Sequence, residues 1–172
     1  PVYDDQLGYV GENVNDKGWQ VSPIKYEESN FSEINPLNNL NDRIIWWESL
    51  SSVWKDIFKK TCNHGFYFNI PTTEVLKEIF EMKEFHLKKA FRTQFGNTYN
   101  KYKGLDITPL KYLQNLEILD LGDMNVFQAE QIGSLGNLKE LNFECNNLKS
   151  VEFIGALSKL EILNISKNSI QS

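Results

Sequence analysis

The sequence predicts an α/β fold: a solenoid of short parallel strands with a 3₁₀ or irregular return side, preceded by an α-helical N-terminal cap. Three observations predict it. Apolar positions recur at one interval: Leu113, Leu135 and Leu157 lie 22 residues apart, as do Leu116, Leu138 and Leu160, then Leu119, Leu141 and Leu163, then Leu121, Phe143 and Ile165. A step kept over three copies without insertion decides the architecture before local propensity is weighed. Within each copy the period then changes. A pair such as Leu119 and Leu121 has period two, so both side chains point inward from a strand. Val151, Ile154, Leu157 and Leu160 follow at steps of three, which match a 3₁₀-like return path. Upstream of the repeats, finally, apolar residues recur at helical spacing.

The 172 residues are 41% hydrophobic and 13% aromatic, enough to fill a core. A net charge of −5 argues against a general nucleic-acid binder and against a polybasic membrane-surface protein. No run of 18 apolar residues spans a bilayer, and Pro1 to Tyr9 do not read as a signal peptide. The expected location is cytoplasmic, with a secreted or surface location left open. Cys62 and Cys145 are far apart and read as unpaired thiols. Cys62 and His64 form one close pair with no second pair nearby, so neither a metal nor a cofactor is expected.

Residues 1–40 are polar and β-leaning, with short strands expected at Leu7–Val10 and Trp19–Val21 around a turn at Asn13–Gly18. The run from Lys17 to Tyr26, followed by Phe31-Ser32-Glu33, resembles a degenerate Trp-Gly-type β repeat. The helical cap is expected over 41–75. Asn41 or Asp42 caps a helix that reaches Lys60, broken near Ser51, with Trp47, Leu50, Trp54, Ile57 and Phe58 as its apolar stripe and Gly65 as its stop signal. Pro71-Thr72-Thr73-Glu74 opens the next helix, where a threonine cap and an acidic first turn suit the free N–H groups. Its apolar face is Val75, Leu76, Ile79 and Phe80.

Residues 76–172 form the repeats. Ile79, Met82, Phe85 and Leu87 keep the spacing of Leu113, Leu116, Leu119 and Leu121, so they read as a first, irregular copy with a strand at about Glu84–Lys88. Its step to the next copy is 34 residues, which places an insertion at 89–104 before Ile107 and Leu110 rejoin the pattern. Three regular copies follow. Leu119-Asp120-Leu121-Gly122-Asp123-Met124-Asn125-Val126 and its counterparts at Leu141–Leu148 and Leu163–Ile170 resemble leucine-rich repeats, Leu-x-Leu-x-x-Asn-x-Leu, with Met124 replacing the first asparagine. The 22-residue length is similar to the bacterial, internalin-like class. The resemblance implies a curved stack with its parallel sheet on the concave side. The asparagine amide can satisfy backbone groups opened by the turn. A single copy cannot bury its own apolar edge, whereas stacked copies can. The N-terminal helices are expected to cover the first edge, and the edge formed by Leu163 and Ile165 is left open to self-association or another surface.

Residues alternating with the inward leucines face outward in ladders: Glu84, Ile118, Glu140 and Ile162; His86, Asp120, Asn142 and Asn164; Lys88, Gly122, Glu144 and Ser166. This face is the expected partner-binding site. Asp120, Glu140 and Glu144 bias it toward a basic or polar partner. Twelve outward residues fall short of the roughly 20–30 per side of a standard interface, so tight binding needs added area. The insertion, with Lys89, Arg92, Lys101 and Lys103 among aromatics, can supply it. Basic residues interleaved with aromatics over Lys88–Lys103 also suit single-stranded nucleic acid, which is the alternative reading. A small acidic inhibitor or immunity-type protein is a further one. No phosphate loop, His-Glu-x-x-His or Gly-x-Ser-x-Gly motif occurs, and His86 beside Asp120 lacks a nucleophile, so no catalysis is expected. The functional expectation is a non-enzymatic protein-interaction module with a protein partner.

Overall fold

A computed structural model describes the backbone of residues 3–4 and 8–9, residue 36, and residues 39–62, 71–87 and 104–171. The chain divides into two compact units, Pro1–Glu33 and Ile34–Ser172. In the first, β1 (Tyr3–Asp4) pairs antiparallel with β2 (Gly8–Tyr9). Strand β2 falls inside the predicted Leu7–Val10 segment, but its partner is Tyr3–Asp4, which the sequence reading left out. The predicted strand at Trp19–Val21 and the Trp-Gly-type resemblance lie outside the described residues.

The second unit begins with helix α1 (Leu40–Ser49). Its cap is Asn39 and not Asn41 or Asp42. Asn39 Oδ1 accepts from the Asp42 backbone N–H at 2.9 Å, while Asn39 Nδ2 donates to Asp42 Oδ2 at 3.0 Å. Asp42 thus contributes from the first turn, where its charge suits the helix dipole. At Leu50 the backbone turns extended (φ −66°, ψ 142°), and Ser51 caps a separate helix, α2 (Ser52–Thr61), by accepting from the Trp54 N–H at 3.3 Å. Helix α2 stops at Thr61 with Cys62 extended behind it; the expected stop, Gly65, lies outside the described residues. Helix α3 (Thr73–Glu81) follows Thr72, whose hydroxyl accepts from the Val75 N–H, and buries Val75, Leu76, Ile79 and Phe80 as expected.

Four three-residue strands then form one parallel sheet in sequence order: β3 (Glu84–His86), β4 (Ile118–Asp120), β5 (Glu140–Asn142) and β6 (Ile162–Asn164). Their register pairs Phe85 with Leu119, Leu119 with Leu141, and Leu141 with Leu163. Strand β3 is shorter than the predicted Glu84–Lys88. Three 3₁₀ helices, Thr108–Tyr112, Glu130–Ser134 and Glu152–Ala156, provide the return side at the repeat step. Each is closed the same way: Leu113, Leu135 and Leu157 donate their backbone N–H to Leu110, Ile132 and Ile154 respectively. The steps of three in the sequence are therefore these i→i+3 bonds. In the irregular first copy, α3 stands where later copies place a 3₁₀ helix.

The asparagine position knits neighbouring copies together. Asn146, only 5% exposed, accepts from the backbone N–H groups of Met124 (3.1 Å) and Val126 (2.8 Å). Its amide donates to the carbonyls of Leu121 (2.9 Å), Phe143 (3.0 Å) and Glu144 (3.3 Å). One side chain thereby bonds five backbone groups, and for the Met124 and Val126 N–H groups and the Leu121 carbonyl it meets a need that burial would otherwise leave open. Asn168 repeats the pattern one copy later, accepting from the Leu148 N–H and donating to Phe143, Ile165 and Ser166. Met124 occupies the same position of the first regular copy. It is fully buried, and its carbonyl accepts from Gly104 at 2.7 Å, a residue at φ +73°. The residue before this position is left-handed in all three regular copies: Asp123 (φ 59°), Cys145 (56°) and Lys167 (58°). That conformation turns the chain out of each strand.

Candidate interaction face

The registers of β3 to β6 stack the outward positions into the predicted ladders: Glu84, Ile118, Glu140, Ile162 and His86, Asp120, Asn142, Asn164. The structure also shows which members of the ladders are already engaged. Asp120 Oδ1 accepts from Asn142 Nδ2 at 2.8 Å and from the Gly122 N–H at 3.0 Å. Asn142 Oδ1 accepts from the Glu144 N–H at 2.9 Å, and Asn164 Oδ1 from the Ser166 N–H at 3.2 Å. These side chains hold the exits of their own strands. A Cβ at residue 122 would approach Asn142 Nδ2 to 3.1 Å and Asp120 Oδ1 to 3.3 Å, so glycine there leaves room for the bond across the strands.

His86 sits between two carboxylates, with Nε2 3.5 Å from Glu84 Oε2 and Nδ1 3.9 Å from Asp120 Oδ2. The structure thus brings together the His86–Asp120 pair that the sequence juxtaposes. Glu144 forms an ion pair with Lys167 at 2.6 Å, which raises the Lys167 pKa through the hydrogen bond between them. Two of the three acids expected to set the charge of the face, Asp120 and Glu144, are therefore tied up within the chain. The Glu140 side chain has no hydrogen-bond or ion-pair partner among the described residues. Glu84 keeps 59% of its side chain exposed beside His86.

One row escaped the sequence reading. Lys83, Glu117, Lys139 and Glu161 lie just before the four strands, joined by bonds from the Glu117 N–H to the Lys83 carbonyl (2.7 Å), from Lys139 to Glu117 (2.8 Å) and from Glu161 to Lys139 (2.8 Å). Glu117 Oε1 meets Lys83 Nζ at 2.9 Å and Glu117 Oε2 meets Lys139 Nζ at 2.5 Å. Hydrogen bonds from Lys139 and Lys83, with their charges, hold the Glu117 carboxyl down at about 2. The signal was present as charges alternating at the repeat step, one position ahead of the strands. This row neutralises itself, so it borders the ladders without adding net charge.

Ile118 is half-buried and Ile162 is 56% exposed. Lys88 and the insertion residues Lys89, Arg92, Lys101 and Lys103 lie outside the described residues, so neither their contribution to this face nor the nucleic-acid alternative has a geometry to rest on. Among the described residues, no group of three or more His, Cys, Asp or Glu could hold a metal ion, and no helix is long and apolar enough to cross a membrane. Cys62 and Cys145 are free thiols, and burial pushes Cys62 up to about 12.

A four-strand parallel sheet, whose last three strands recur at one step with 3₁₀ helices between them, defines an α/β repeat fold. No family model matches the chain, and no curated protein matches it. Among solved structures, an internalin (InlF) from Listeria monocytogenes str. 4b F2365 is similar at 28% identity and a TM-score of 0.36, over 37% of this chain and 18% of that one. Internalin C2 (InlC2) of the same strain is similar at 25% identity and a TM-score of 0.38, over 39% of this chain and 30% of that one. The chain thus spans less than a third of either structure.

Proposed function

We propose that this chain is a non-enzymatic protein-interaction module that holds a protein partner on the outward face of its four-strand sheet. In this reading the stack is a short leucine-rich-repeat solenoid with the sheet on its concave side. Residues 41–75 act as its helical cap, 76–172 as its repeats and 1–40 as a β-leaning extension. The observation that carries the reading is the ladder of Glu84, Ile118, Glu140 and Ile162, whose outward side chains serve no bond that holds the strands together. Lone isoleucines at a surface need no explanation, but Ile118 and Ile162 in register with two glutamates form a surface with a use. In the flanking ladder, Asp120, Asn142 and Asn164 are pre-set by hydrogen bonds within the chain, which lowers the ordering cost of binding. Four strands at about 4.8 Å spacing span only about 15 Å, so the sheet by itself supports modest affinity.

Selection of a displayed random-peptide library against the intact chain tests this. Recovered binders should lose affinity for an Ile118→Asp, Glu140→Lys double variant whose thermal unfolding matches the parent. Binders that hold both chains equally well would remove the sheet face from the account.

A further inference from the structure

The unshared column also specifies the shape of its partner. Resting on the reading above, we propose that the ladder Glu84–Ile118–Glu140–Ile162 docks a polyproline-II segment of a partner protein that carries a cation at every third residue. The first argument is charge. Of the acids on this face, Asp120 and Glu144 are engaged within the chain, and Glu117 is neutralised by Lys83 and Lys139. The Glu140 side chain is unshared among the described residues, and Glu84, though 3.5 Å from His86 Nε2, is largely exposed, so bound cations meet these two carboxylates.

The second argument is spacing. Glu84 and Glu140 stand on β3 and β5, two strands apart in register, which is about 9.6 Å at about 4.8 Å per strand. A segment lying along the column must repeat one face at that distance. Polyproline II returns to the same face every three residues, about 9.3 Å at about 3.1 Å per residue. A β-strand repeats its face at about 6.7 Å, which meets neither carboxylate after the first. An α-helix comes round near this distance only after seven residues, at about 10.5 Å, and overshoots. Polyproline II fits best.

The third argument is the alternation. Ile118 and Ile162 occupy the strands between and beyond the two glutamates. Ile118 falls where such a segment places the two residues between its cations, and Ile162 where it places those after the second. Prolines there would lie on apolar surface while holding the segment extended before binding, which reduces the entropy lost on docking. The partner motif is Lys/Arg-x-x-Lys/Arg with proline or other apolar residues at x.

The test compares two fluorescein-labelled peptides of one composition, Lys-Pro-Pro-Lys-Pro-Pro and Lys-Lys-Pro-Pro-Pro-Pro, by anisotropy against the intact chain. The spaced peptide should bind about two- to fivefold more tightly, the scale of one exposed ion pair, and the advantage should fade at high salt. Glu140→Gln should abolish the difference between the two peptides, while a Lys159→Gln control on the return side should preserve it. Equal affinity for both spacings, no binding of the spaced peptide, or a difference that survives Glu140→Gln would each overturn the proposal. If library binders prove face-dependent but lack the cation spacing, the interaction module stands and this inference falls.

Discussion

The two ends of the sheet are built from the same repeat and finish differently. At the β3 end, Phe85 is 1% exposed and packs against Trp54 (6.1 Å between ring centroids) and Phe58 (6.2 Å) of α2. Phe58 in turn meets Trp46 at 5.6 Å, and Trp46 meets Phe80 of α3 at 4.9 Å. Trp54 also donates its indole N–H to the Asp106 carbonyl at 2.8 Å, tying α2 to the segment ahead of the first 3₁₀ helix. At the β6 end the equivalent of Phe85 is Leu163, and it is 40% exposed. Ile165 is only half-buried, where its counterparts Leu121 and Phe143 are fully buried. Equivalent strand positions are therefore core at β3 and partly exposed at β6. What differs is the neighbour, since a repeat buries its leucines only against an adjacent layer.

Truncation should expose that difference most strongly. Phe85→Ala removes a ring from a packed aromatic cluster and should cost about 3–5 kcal/mol in denaturant unfolding, whereas Leu163→Ala should cost about 1 kcal/mol. Equal losses would mean that the two ends are equally supported. A finer comparison uses the asparagines. Asn146→Ala strands the Met124 and Val126 N–H groups and the Leu121 carbonyl and should cost about 3 kcal/mol, against about 1–2 kcal/mol for the half-buried Asn168→Ala. The smallest effect concerns the charged row that runs from the covered end toward the open one. The Glu117 carboxyl is depressed from 4.5 to about 2, so its contribution is present above the unfolded value and lost as pH falls through the folded one. Acid titration of unfolding should therefore show a stability loss between about pH 4.5 and 2 that shrinks in Glu117→Gln and in high salt. Because the group is exposed, an unchanged acid limb in the variant would assign the row to charge patterning alone.

The strand register was legible because parity and repeat length are local properties. Once Leu119 and Leu121 point inward, Asp120 must point outward, and the 22-residue step carries that assignment to Asn142 and Asn164. The first copy was legible too, since Phe85 and Leu87 keep the spacing even though α3 replaces a 3₁₀ helix. The break between α1 and α2 was foreseen near Ser51, but the cap at Asn39 was not, because three neighbouring residues offer the same side-chain oxygen. Trp46 was missed for a related reason. A single stripe through Trp47 leaves Trp46 outside it, and only the turn at Leu50 lets both tryptophans bury, Trp46 against Phe58, Phe80 and Tyr112. The engagement of Asp120 and Glu144 depends on which rotamer meets which neighbour across the strands, and a linear pattern does not carry that information.

The sequence by itself determined the repeat, its register and the identity of the two ladders that the strands carry, because these follow from periodicity along one chain. Only the tertiary structure decided which copy becomes interior and which acids are spent within the fold. Burial and charge compensation are properties of neighbours in space, and neighbours are set when the layers stack.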